Sequence, residues 1–188
     1  MKRSRIVLWR SLFRPGAENC TLSRATTGWI LHGAVIVALK KKQPVRFEYD
    51  VRCDSHWQTR NVQVRATSGA RGERTLSLRV DSQQRWWQGG RELKRLRGCY
   101  DIDLFFSPST NTLPIRRLRL AVGESADVTA AWISSEKFSI KLLKQRYTRL
   151  ARNRYRYESA TGFRTVITVD ACGLVVNYPP GWERMADR

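Results

Sequence analysis

Asp101 and Asp103 are separated by one isoleucine in the run Gly98-Cys99-Tyr100-Asp101-Ile102-Asp103-Leu104-Phe105-Phe106. On a strand, residues two apart point the same way, so the carboxylates lie roughly 7 Å apart. At such a distance a carboxyl pair can act as general acid and base on a glycoside. Two other uses fit the same residues. Arg116 and Arg117 follow closely, and buried acids next to arginines form a structural lock. Otherwise the acids, with Asn111 and the two arginines, can hydrogen-bond the hydroxyls of a bound ligand. The local supply of arginines puts the lock first, ligand contact second and catalysis last.

A sugar also needs aromatic faces for its C–H edges, and the chain has seven tryptophans and six tyrosines. Trp57 stands near Arg60, Trp86 and Trp87 are adjacent, and Tyr155 and Tyr157 share one face of an expected strand. Core packing is the commoner use of any one of these rings. Trp86-Trp87 differs, because neighbouring strand residues face opposite ways and one ring should be exposed. Arg152, Arg154 and Arg156 would line the wet face opposite the tyrosines.

Other chemistries lack their residues. The four cysteines, Cys20, Cys53, Cys99 and Cys172, are far apart, and only His32 and His56 are present. Zinc wants ligands in close pairs, so no metal is expected. Cys53 and His56 read more simply as a half-buried thiol at a strand end with a nearby histidine. No Ser/His/Asp spacing and no phosphate-cradling glycine loop appears, and no cofactor is expected.

The elements that position these residues follow from hydropathy patterning. Val45, Phe47, Tyr49 and Val51 alternate with polar residues. So do Val62, Val64 and Ala66, then Leu76, Leu78 and Val80, and later Phe163 to Val169. Turn signals at Ser68–Gly72, Gln88–Gly90, Gly123–Ser125, Thr161-Gly162 and Asp170–Gly173 separate them, which predicts an antiparallel meander. Helix starts are offered at Ser107-Pro108 and at Thr112-Leu113-Pro114. Leu118, Leu120 and Val122 also alternate, so the exit could already be strand. From Ile140 to Leu150 the pattern favours strand over helix.

At 188 residues the chain suits a single domain, 1–188, with a sizeable core. It carries 27 Arg and 8 Lys against 16 acids, for a formal charge of +19. That charge favours anionic partners such as nucleic acid or membrane headgroups. The arginines are spread along the whole chain, however, which suits a solvated surface better than a dedicated nucleic-acid face. The basic start, Met1 to Arg10, has too short an apolar run for a signal peptide, and Trp29 to Leu39 is too short to span a bilayer. A cytoplasmic protein with reduced thiols is expected.

Several motifs together resemble a known family. They are Cys20-Thr-Leu-Ser23, Gly28-Trp29, Tyr49-Asp-Val-Arg-Cys-Asp-Ser-His-Trp57-Gln-Thr-Arg60 and Gly98-Cys-Tyr-Asp-Ile-Asp103. Further along stand Ser107-Pro-Ser-Thr-Asn-Thr-Leu-Pro-Ile-Arg-Arg117, Ala131-Trp132, Gln145-Arg-Tyr147, Tyr155-Arg-Tyr157 and Gly173-Leu-Val-Val-Asn-Tyr-Pro179. From about residue 8 to residue 182 the chain resembles the bacterial family called "Putative glycolipid-binding"; Asn177 stands where the family pattern has Asp. The resemblance implies a mostly β fold, a spiral β-roll in which a long antiparallel sheet wraps around a single central helix, and a homodimer. It also implies a lipid or glycolipid ligand in a role without catalysis. The ligand contacts expected are Trp57, Arg60, Trp86, Asp101, Asp103, Asn111, Arg116, Arg117, Tyr147, Tyr155 and Tyr157. An anionic membrane surface is a possible further partner, and nucleic-acid binding through the basic face is the rival reading.

Overall fold

Most of the period-two alternation becomes strand in the computed structural model, which describes residues 4–39, 43–69, 72–134 and 138–188. The middle of the expected Ser68–Gly72 turn and the first three residues of the basic start lie outside the described residues. The first eight strands are β1 (Arg5–Ser11), β2 (Gly16–Ala25), β3 (Gly28–Ala38), β4 (Pro44–Asp54), β5 (Thr59–Ser68), β6 (Gly72–Val80), β7 (Trp86–Gln88) and β8 (Arg91–Glu92). The rest are β9 (Asp101–Leu104), β10 (Ser125–Ile133), β11 (Ile140–Ala151), β12 (Arg154–Ser159), β13 (Arg164–Val169), β14 (Val175–Tyr178) and β15 (Trp182–Asp187). Strand wins over Ile140 to Leu150, as the alternation predicts.

All fifteen strands form one sheet in the order β8 to β1, then β15 down to β9. Two sequential meanders therefore meet where β1 pairs with β15. The expected antiparallel pairing holds at every seam but one. β9 and β10 run parallel, and parallel neighbours need a crossover, which a helix supplies.

That helix is α1 (Thr112–Leu118). The Ser107 hydroxyl accepts the Ser109 N–H at 3.1 Å and starts a short 3-10 turn, Ser109–Asn111, that leads into it. Pro114 falls in the first turn of α1, where its missing N–H breaks no helical bond. Leu113 and Ile115 are buried, whereas Arg119 takes a left-handed conformation (φ 50°) and stops the helix. The alternation at Leu118, Leu120 and Val122 is consequently not strand; β10 begins only at Ser125.

Inward residues of the sheet, among them Trp9, Leu31, Val35, Phe47, Val51, Val62, Leu78 and Ile167, form a continuous core. Burying such side chains contributes about 1.5–3 kcal/mol each. The segment from β9 to α1 lies inside the curve of the sheet. Phe106 stacks on Phe47 of β4 at 4.1 Å, Thr112 bonds the Gly173 carbonyl, and the Thr59 N–H of β5 donates to the Tyr100 carbonyl. The sheet is thus rolled around its own helix, as the resemblance implies.

Candidate functional site

Inside the roll, α1 and β9 meet β11 around the two aspartates. Arg117 donates from Nε to Oδ1 and from Nη2 to Oδ2 of Asp101, at 3.2 and 2.5 Å. Asp101 is 1% exposed, and burial raises its pKa against the pull of Arg117. Asp103 accepts a bond from Gln145 Nε2, and burial pushes its carboxyl up to about 6. The Tyr147 hydroxyl donates to Asn111 Oδ1 at 2.9 Å, and its ring meets that of Tyr157 edge-on. The structure thus gathers Asp101, Asp103, Asn111, Arg117, Tyr147 and Tyr157. The space left between the aspartates, Asn111, Gln145 and Tyr147 is about 10 Å³, room for one water at most.

The other expected contacts lie elsewhere. Arg60 is committed to Asp54, Gln58 and the Asp81 carbonyl, tying two turns together. Trp86 has no exposure and donates its indole N–H to the Cys99 carbonyl, while Trp87, on the other face, is only half-buried, with Arg79 and Arg85 over its ring, rather than exposed as expected. Tyr155 is buried, with Arg149 over its ring. Arg116 does not join Arg117 at the aspartates; it lies over the Trp57 ring. Trp57 is buried, adopts φ 66° and stacks on Trp29 at 4.6 Å. Cys53 is a free, buried thiol, and no metal-holding cluster occurs among the described residues.

Sequence reasoning overlooked a second buried acid. Glu18 of β2 has no exposure, accepts bonds from the Tyr49 and Ser107 hydroxyls, and is pushed up to about 8 by burial. At neutral pH it holds its proton. Its signal was available, since Glu18 falls on the same face as the buried Cys20 and Leu22.

The two ends of the roll are open. At one end is an apolar cleft of about 360 Å³ walled by Phe13, Val37, Leu39, Phe105, Phe106, Phe163, Tyr178 and Trp182, with Arg14 at its edge. Phe13 is 69% exposed. At the other end is a pocket of about 340 Å³ that Trp29, Trp57, Arg24, Arg116 and Arg119 help to line. β3 runs from the second opening at Gly28 to the first at Val37 and Ala38, so roughly 30 Å of packed strand separates them.

The sequence matches the model of the family described as "Putative glycolipid-binding" over residues 6–184. It is also similar to a DUF1089 family protein from Pseudomonas aeruginosa, known from a crystal structure at 1.80 Å resolution. That similarity has a TM-score of 0.82 at 33% identity and covers 90% of this chain and 92% of the other. No curated protein matches the sequence. A family match over nearly the whole chain, on a roll of the expected kind, means that this protein belongs to the "Putative glycolipid-binding" family.

Proposed function

We propose that the protein holds the acyl chain of a lipid or glycolipid in the apolar end cleft, without chemical change to it. The observation that carries this reading is the cleft itself, open to solvent yet walled almost wholly by aromatic and aliphatic side chains. Each methylene moved from water into such a wall gains roughly 0.8 kcal/mol. Sequestration rather than hydrolysis is supported by the aspartates, which are partnered by Arg117 and Gln145 with no space for a sugar between them. The four free cysteines support a cytoplasmic setting. Ile6, Leu8 and Ile36, exposed on the outer face of β1 and β3, support a homodimer.

The test is to purify the protein under native conditions, extract it with organic solvent and identify the extract by mass spectrometry. A stoichiometric lipid or glycolipid is expected. An empty extract, with nucleic acid co-purifying at low salt, would instead favour the basic surface. Phe13→Asp places a charge at the mouth of the cleft and should weaken binding of a fluorescent fatty acid by about tenfold or more.

A further inference from the structure

At the opposite end of the roll, we infer a second binding site, for a phosphate group carried on a small polar molecule or headgroup. It is independent of the apolar cleft. Arg24 lies over the Trp29 ring (5.7 Å from guanidinium carbon to ring centroid) and Arg116 over the Trp57 ring (5.4 Å). The two indoles are nearly parallel, 4.6 Å apart. Each therefore covers the other's inner face, leaving the outer faces to the arginines. A guanidinium stacked on an indole keeps its N–H edge free and held in one plane, which suits bidentate binding of a phosphate.

Charge in this pocket is not compensated. Among the described residues no acidic side chain lines it, and Arg24, Arg116 and Arg119 have no carboxylate partner. Asp54, next to Ser55 on the rim, is taken by Arg60 and by the N–H groups of His56 and Gln58. Arg116 spends one N–H on the Ala171 carbonyl, while its Nε is shielded from solvent with no partner. The remaining rim residues, Thr26, Thr27 and Ser55, add hydroxyl donors. Three cations and three hydroxyls with no competing acid make an anion site. At about 340 Å³ the pocket exceeds a bare phosphate and leaves room for the group that carries it.

The backbone supplies an independent sign. Two of the four non-glycine residues with left-handed backbone among the described residues, Trp57 (φ 66°) and Arg119 (φ 50°), line this pocket. A bulky tryptophan rarely adopts that conformation, and the position after a helix usually holds glycine. Here the strained backbone aims an indole and a third guanidinium at the same opening. Such strain is commonly kept where a ligand uses it.

The test follows tryptophan fluorescence of the full chain titrated separately with inorganic phosphate, glucose 6-phosphate, glucose, and phosphatidylcholine vesicles with and without phosphatidic acid. A change with glucose 6-phosphate but not glucose is expected, weakened about tenfold or more in Arg24→Gln and Arg119→Gln. Arg91→Gln, which removes an equal charge outside the pocket, should leave it unchanged. A response to phosphatidic acid vesicles alone, lost in the same variants, would identify the carrier as a lipid headgroup. Arg119→Gly relaxes the left-handed position, so it should raise the melting temperature while weakening phosphate binding. The inference is overturned if no phosphate-bearing probe changes the fluorescence, or if Arg91→Gln weakens binding as much as the pocket variants do.

Discussion

Glu18 and Asp103 make the stability of this protein depend on pH in an unusual direction for carboxyl groups. An ordinary glutamate ionises near 4.5, whereas Glu18 ionises near 8. Between these values the folded protein holds a proton that the unfolded chain releases, so stability falls as pH rises and levels off above about 8. Asp103, raised to about 6, adds to the lower part of that fall. Glu18→Gln should therefore be more stable than the parent at about pH 9, by up to a few kcal/mol, and much the same at about pH 5. Thermal melts across that range decide it, and a parent protein of flat stability would refute it. The Asp101–Arg117 pair behaves differently. Arg117→Met leaves a buried carboxylate without its partner and should cost about 3–5 kcal/mol. Adding Asp101→Asn should restore much of that loss, a non-additivity measurable by denaturant unfolding.

Among the elements, β3 and β4 show how a small residue makes room for a polar contact. Gly33 pairs with Tyr49 across the two strands, and a methyl group on Gly33 would fall 2.5 Å from the Tyr49 ring. The ring thus lies over bare backbone and brings its hydroxyl to Glu18. Gly33→Ala should destabilise by about 1–3 kcal/mol through overpacking, read from the denaturation midpoint. Local patterns were the legible ones. The strands β4, β5, β6, β11 and β13, the helix start at Thr112-Leu113-Pro114 and the shared face of Asp101 and Asp103 follow from spacing within a few residues. The end of α1 was hidden because Arg119 stands where glycine would announce a stop. The parallel β9–β10 seam, the Glu18–Ser107 bond across 89 residues and the cleft built from Phe13, Phe105 and Phe163 were hidden too. Each depends on segments far apart in sequence that only the rolled sheet brings together.

For the molecule as a whole, the excess of positive charge and the apolar cleft should act separately. Exposed acids such as Glu48, Asp127 and Glu183 already have arginine partners, and the surplus cations are distributed over the surface. Any attraction to an anionic polymer should be non-specific, fall steeply with salt and be indifferent to Phe13→Asp. Fatty-acid binding should show the reverse, a weak salt dependence and sensitivity to that variant. Filter binding of DNA and fluorescence titration of fatty acid over the same salt series distinguish the two.

The seam between β1 and β15 also sets the order in which the protein can be completed during synthesis. Once β1 has left the ribosome it can pair with β2 on one side, but its other edge waits for β15, about 170 residues later. At roughly 5–20 residues per second that wait lasts on the order of ten to forty seconds. Through that interval the growing roll carries an open backbone edge in the middle of its future sheet. An unpaired edge of that kind is a template for association with other chains. The nascent protein is accordingly most in need of chaperone protection just before β15 emerges.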